Sequence, residues 1–277
     1  MKKYSLPRVV ISITIMISLL FGLSFLQTEI HSLRRGTQGD YLDFDPTETI
    51  PITLLGSFRG VLVDFLWIRG IARHQEKKYY ELLAINNLIA KLQPHFPSIW
   101  IFQAWNMCYN IAHEWESPED KWKWIRAGLA FAEKGAEKNP TKGELFFEIG
   151  YIYFHKFDAK TIEFADYYRK RLKEDENRDN YEQALYWVRK SLQYGLTTHN
   201  RLAVERTLCY ILWRAALRNE KEGDLPAALD YAERALKEWK EYTVRNPDDP
   251  DERTNEIIAT ITNKNLQLKQ QIERYER

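Results

Sequence analysis

His31, His74, His95, His113, His155 and His199 are the side chains of this chain best suited to hold a metal or to move a proton near neutral pH. No two of them stand three or four residues apart, the spacing that sets two imidazoles on one helix face. His113-Glu114 begins like a zinc-protease motif but lacks its second histidine. Neither a G-x-S-x-G elbow nor a phosphate-cradling glycine loop occurs. An acid–base centre would have to gather residues such as Asp64, His113 and His155 from separate segments to within hydrogen-bond reach. Cys108 and Cys209 form no metal-ligand or redox spacing, so two buried thiols are expected. The sequence therefore predicts a protein that is not an enzyme and that uses no metal or cofactor.

Binding chemistry is better represented. Residues 96–124 hold Trp100, Trp105, Trp115, Trp122 and Trp124, five of the nine tryptophans. On the helix expected there, Ile99, Gln103, Asn106, Asn110 and His113 follow at spacings of four, three, four and three, which draws a narrow polar stripe along an apolar helix. Buried amides need partners, so the stripe either ties into a neighbouring hairpin or receives a ligand. In the second case Gln103, Asn106 and Asn110 would bond the backbone of an extended peptide or a helix, with Trp105 and Tyr109 in apolar contact. Ile101, Trp105, Cys108 and Tyr109 make up the aromatic side of the same helix. The candidate partner-binding set is thus Ile101, Gln103, Trp105, Asn106, Tyr109 and Asn110. The alternative is a tryptophan-rich pocket for a lipid, a glycan or a small molecule.

The elements that would carry these residues repeat. Phe146, Ile149, Gly150 and Tyr153 set an aromatic, an aliphatic, a glycine and an aromatic at fixed helical offsets, and Trp100, Gln103, Ala104 and Met107 repeat the phase. Gly70, between Leu66 and Arg73, supplies the small residue of an earlier copy. A companion pattern of small or apolar residues four and then three apart, closed by a proline, occurs at Gly128, Ala132, Gly135 and Pro140. Leu82, Asn86, Ile89 and Pro94 follow it with larger residues, and Ala184, Val188 and Ser191 follow it without the proline. Ala228, Ala232 and Ala235 carry it after a Gly223-Asp224 turn, with Pro247 marking the end of their helix.

This arrangement resembles the tetratricopeptide repeat, W-x2-L-G-x2-Y then A-x3-F then P in a unit of about 34 residues. The resemblance covers 58–94, 97–140, 143–196 and 199–247. It implies an all-α protein, a right-handed α-solenoid of about four degenerate helical hairpins over residues 58–249 with a capping helix at 250–277. Gly70, Ala104, Gly128, Gly150, Tyr153, Ala228 and Ala235 would be its packing positions. It also implies a protein or peptide partner bound on a concave face, which in such proteins is lined by first-helix residues on the side of Ile101, Trp105, Cys108 and Tyr109. The anchor described below, taken with the tryptophan-rich hairpin, resembles membrane-anchored bacterial repeat proteins, a likeness that brings no activity with it.

Two irregularities interrupt the repeats. The gap from Ala104 to Gly128 is 24 residues against 12 from Gly70 to Leu82, and that from Gly150 to Ala184 is 34. The longer one includes 157–180 with the charged run 169–179, read as a solvated helix with mixed-sign pairs. Asp64, inside an apolar run, would be costly to bury alone and predicts an ion pair with Arg59 or Arg69. His155-Lys156 reads as a pair of cations at a helix end. Ile258, Ile261, Asn265, Leu268, Ile272 and Tyr275 form a short seam that either closes the stack or allows self-association.

Residues 9–26 contain no charge and, as a helix, would span about 27 Å, enough to cross a hydrocarbon core. They predict an N-terminal transmembrane helix acting as a signal anchor (1–35), followed by a linker (36–57). Lys2, Lys3 and Arg8 favour a cytoplasmic N-terminus, which puts the repeats outside the cytoplasmic membrane, in the periplasm. Cleavage near Gly22 and Ser24, giving a secreted protein, is the alternative. With 40 basic and 39 acidic residues the net charge is +1, so no global field draws the chain to nucleic acid. The function expected is a membrane-anchored scaffold or adaptor of the cell envelope.

Overall fold

A computed structural model describes residues 58–249 and 253–275, together with the isolated positions 10, 11, 14, 15, 18 and 56. Apart from those positions, the expected anchor (9–26) and linker (36–57) lie outside the described residues. No helix among the described residues is long and apolar enough to cross a membrane. The described chain is all-helical, without a strand, and divides after Pro94 into two compact units.

The first unit is a pair of helices, α1 (Phe58–Gln75) and α2 (Tyr79–Leu92). Val63, Leu66 and Gly70 are the buried residues of α1, and Gly70 faces the buried Leu82 and Ile85 of α2. Asp64 is exposed, which corrects the expectation of a buried ion pair: it lies off the packed stripe, and its charge stays in water.

The second unit begins with α3 (Pro97–Trp105), which continues as a π-helical turn (Asn106–Ile111). It packs on α4 (Pro118–Lys138). Then α5 (Gly143–Asp158) packs on α7 (Asn180–Ser191), with α6 (Ala165–Glu176) between them in sequence and set against α5 and α4. Next α8 (Arg201–Glu222) pairs with α9 (Leu225–Arg245), and α10 (Arg253–Tyr275) covers α9.

Local chemistry sets the ends of these helices. Ser117, Asp179, Asn200 and Asp224 each cap a helix N-terminus by accepting a backbone N–H. Gly223 ends α8 at φ +85°, where a side chain would be strained. At the other ends, α2, α4 and α9 finish alike, each one residue before a residue-proline pair: Gln93 (φ −132°, ψ 62°), Asn139 (−132°, 60°) and Asn246 (−129°, 64°). The proline ring pushes the residue before it out of the helical region. Asn139 and Asn246 also donate from Nδ2 to the carbonyls of Gly135 and Tyr242, four residues back.

The helices approach closely at glycines. A Cβ on Gly150 would stand 2.7 Å from Val188 Cγ2 and 3.0 Å from the Ala184 carbonyl oxygen; one on Gly128 would meet Cys108 Sγ at 2.5 Å and the Ala104 carbonyl at 3.0 Å. Phe146, Ile149, Tyr153 and Phe157 of α5 and, further along the chain, Trp239 and Tyr242 of α9 are large side chains of the core.

The α6 insertion is docked rather than free. Tyr168 and Leu172 are buried, Asp175 accepts from Trp122 Nε1 at 2.8 Å, Glu176 pairs with Arg126, and Asp166 pairs with Arg218. On α10, Ile261, Asn265 and Leu268 are buried, and Asn265 donates to the Ala232 carbonyl of α9 at 3.4 Å. Tyr275, at the end of the expected seam, is 84% exposed.

Candidate functional site

The π-helical turn decides where the residues singled out on α3 go. An i→i+5 turn is wider than an α-helical one, so side chains after Trp105 rotate away from their α-helical phase. Gln103 and Asn106 are buried at 2% and 8% exposure, whereas Asn110 and His113 are exposed. The continuous polar stripe expected from α-helical spacing is therefore broken. Asn106 and Asn110 are joined by one hydrogen bond, Asn110 Nδ2 donating to Asn106 Oδ1 at 3.0 Å. Gln103 Oε1 is buried without a hydrogen-bond partner.

Ile101, Trp105 and Tyr109 remain together and half-buried, and α5 extends their surface. The Trp105 ring stacks on Tyr109 at 4.4 Å and on Tyr151 at 6.0 Å; Tyr151 stacks on His155 at 5.3 Å. Phe147 lies 6.1 Å from Tyr151 and 4.4 Å from His199, which precedes α8. A ladder of rings thus runs from α3 across α5 to the loop after α7.

Polar groups lock the ladder in place. Trp105 Nε1 donates to Glu148 Oε2 at 2.7 Å, and the Tyr109 hydroxyl lies 3.1 Å from His155 Nδ1. Glu144, in the first turn of α5, accepts from the backbone N–H groups of Thr197, Thr198 and His199 and contacts His199 Nδ1. His199 Nε2 lies 3.4 Å from Glu148. Lys156 is 7% exposed, with its ammonium 4.7 Å from the centre of the Tyr109 ring and 5.9 Å from that of Tyr168.

The electrostatics follow from burial. Burial raises the Glu148 carboxyl above its ordinary range, a rise that the Trp105 hydrogen bond opposes. Glu144 goes the other way: burial works against its charge, but the donors of His199, Thr198 and Thr197 together outweigh it and lower the pKa. His155 is lowered by burial and by the neighbouring Lys156, which favours neutral imidazole, and Lys156 is itself lowered by burial. Burial also pushes the Tyr109 hydroxyl up. His155-Lys156 is therefore part of an aromatic cluster, not a solvated cation pair at a helix end.

Phe147 and Tyr151 were not singled out from sequence, and His155 was read only as a titratable side chain and a helix-end cation, although the signal for the ladder was present. They lie 46 residues after Ile101, Trp105 and Tyr109, the same offset that carries Ala104 onto Gly150. Glu144, Glu148 and His199 carried no such mark. Of the other tryptophans, Trp100 packs on Phe131 at 4.7 Å and Trp122 meets Phe157 edge-on, so both fill the core. Asp64 lies in the first unit, and His113 and His155 in the second. Among the described residues no cluster of His, Cys, Asp or Glu has the makings of a metal site.

Comparison of the chain with protein-family models, with curated proteins and with solved structures gave no match.

Proposed function

We propose that this protein is a membrane-anchored scaffold of stacked, tetratricopeptide-like hairpins that binds a protein or peptide partner in the cell envelope. The observation that carries this reading is the half-buried aromatic ladder Trp105–Tyr109–Tyr151–His155, presented by the first helices of two successive hairpins. Rings that are neither core nor fully solvated offer apolar contact area at small entropic cost, the usual composition of a protein-binding patch. Ile101 extends the patch and Phe147 backs it from a buried position, while Asn110 and the 54% exposed Phe102 border it.

Recurrence supports the repeat character. One offset of 46 residues relates both the packing positions Ala104 and Gly150 and the surface positions Trp105 and Tyr151. Three second helices share one proline-closed ending. Residues 9–26 would hold the domain at the cytoplasmic membrane, with the repeats on the periplasmic side.

The test is a photocrosslinker placed at Ile101 or Tyr151 of the full chain in native membranes, with Ala130 on the exposed side of α4 as reference. A discrete adduct from the ladder positions, lost when Trp105→Ala accompanies the crosslinker in a protein of unchanged circular dichroism, is expected. Identical adducts from all three positions, or adducts indifferent to Trp105→Ala, would rule the ladder out as the contact surface.

A further inference from the structure

Helix α1 carries an apolar row on each side, the outer one flanked at its edges by the exposed Asp64 and Arg69. Its inner stripe, Val63, Leu66 and Gly70, is used in packing on α2. On the opposite side Val61, Phe65 and Ile68 are 65%, 60% and 67% exposed, and Phe58 and Ile71 are 50% and 58% exposed. Spacings of four and three align Val61, Phe65 and Ile68 in one row that Phe58 and Ala72 continue. Scattered apolar residues on a surface need no explanation, but five on one helix of 18 residues do.

The composition of the row indicates what covers it. From Phe58 to Ala72 it holds no side chain able to make a hydrogen bond, whereas protein interfaces carry roughly one hydrogen bond per 100–200 Å². Hydrocarbon asks for none. Arg69, exposed on the edge of the row, has a stem long enough to lie along apolar surface while its guanidinium reaches phosphate. The chain upstream adds a reason of distance. Only residues 27–57 separate the uncharged stretch 9–26 from Phe58, so a bilayer entered by that stretch lies within about 100 Å of α1 even on a fully extended tether. Tethering raises the local concentration of lipid that α1 meets and makes a weak apolar contact sufficient.

We propose that the outward face of α1 lies in the interfacial layer of the membrane, a second, peripheral contact beside the one made by residues 9–26. This rests on the membrane reading given above. Val61, Phe65 and Ile68 enter the boundary between headgroups and acyl chains, Arg69 meets the phosphates, and the first unit is held against the lipid surface.

The test uses the full chain reconstituted in vesicles of phosphatidylcholine and phosphatidylglycerol. A thiol-reactive fluorophore is placed at Val61→Cys, at Ile68→Cys, and at Ala84→Cys on the exposed side of α2 as reference; the native thiols are buried and do not compete. Spin-labelled lipid is expected to quench positions 61 and 68 at least about twofold more than 84, with aqueous iodide showing the reverse order. Phe65→Asp added to Ile68→Cys should abolish the lipid quenching while the protein still floats with the vesicles. Flotation with equal iodide quenching at all three positions would overturn the proposal and leave the anchor standing. Protection of 61 and 68 from both quenchers would show a protein surface there instead, and overturn it too. Failure to float would overturn the anchor and this contact together.

Discussion

Trp105 donates its indole N–H to Glu148 at 2.7 Å, joining α3 to α5 across the middle of the aromatic ladder. Glu148 and Glu144, one helical turn apart, carry opposite shifts. Burial raises Glu148, whereas the donors of the Thr197 to His199 backbone hold Glu144 low despite burial.

The two carboxylates should therefore respond to pH with opposite signs. A group whose pKa is lowered on folding stabilises the protein above its unfolded value, near 4.5, and loses that contribution as pH falls through the folded one. Glu144→Gln should thus cost about 1.5–3 kcal/mol at neutral pH, as expected for hydrogen bonds to a charged group, and the deficit should vanish on acidification. For Glu148 the folded pKa is raised, so the wild-type carboxylate is penalised once pH exceeds about 4.5. Glu148→Gln, which keeps an acceptor for Trp105, should gain relative to wild type as pH rises through that window. Urea denaturation of both variants from pH 3 to 7 measures the two slopes, and slopes of the same sign would contradict the assignment.

Gly150 and Gly60 offer a matched pair. Both are helical, and alanine is intrinsically better in a helix by about 0.8–1 kcal/mol. A methyl on Gly60 meets nothing within 4 Å, whereas one on Gly150 falls 2.7 Å from Val188 Cγ2 and 3.0 Å from a backbone oxygen. Gly60→Ala should therefore be neutral to slightly stabilising. Gly150→Ala should destabilise by about 1–3 kcal/mol, since α5 and α7 must separate to admit it. Thermal melts of both proteins decide the matter; an unperturbed melt for Gly150→Ala would mean that the two helices are not pressed together there.

What was legible in the sequence and what was not follow from the range of each interaction. Prolines and cap residues act on their own neighbours, so Pro94, Pro140, Pro247, Asp224 and Gly223 marked helix ends directly. Small residues at fixed offsets marked Gly128 and Gly150 as sites of close approach because packing leaves a periodic trace. The π-helical turn at Asn106–Ile111 left no such trace, and an ideal α-helical phase placed Asn110 and His113 on the wrong side of the Gln103 face. The Glu144 contact with the backbone of 197–199 joins residues more than 50 apart and depends on a loop conformation that no spacing rule encodes. The ladder was readable in half: Trp105 and Tyr109 stood out by type, whereas Tyr151, and His155 as a ladder member rather than a helix-end cation, required carrying the offset from packing positions to surface positions.

Asp158 is the buried charge on which three helices converge. It is 8% exposed, accepts from the Tyr181 hydroxyl of α7 at 2.6 Å, and takes Arg214 Nε of α8 at 2.7 Å. Asp158→Ala leaves a guanidinium and a phenol facing an emptied acceptor site, which should cost about 3–5 kcal/mol. Adding Arg214→Met and Tyr181→Phe removes the orphaned donors, so the triple variant should recover part of that loss. Chemical denaturation of the single and triple variants tests this; equal instability would show that packing volume, not charge, is what Asp158 contributes.

Cys108 gives a reporter for opening of the π-helical turn. Its thiol is buried, lies 3.4 Å from the Ile125 carbonyl, occupies the space that Gly128 leaves by having no side chain, and is pushed up to about 12 by burial. Cys209 is buried and raised as well, again chiefly by burial. Because only an exposed thiolate reacts, labelling of either cysteine in the native protein must pass through an opened state. Both should react at least about a thousandfold more slowly than in denaturant, the factor expected for opening that costs about 4 kcal/mol. If the π-helical turn opens locally, Cys108 should react faster than Cys209, and Gly128→Ala, which crowds Cys108 Sγ, should accelerate Cys108 far more than Cys209. Equal acceleration of both thiols would mean that the second unit opens as one cooperative body, with no separate motion of the helix that carries Trp105.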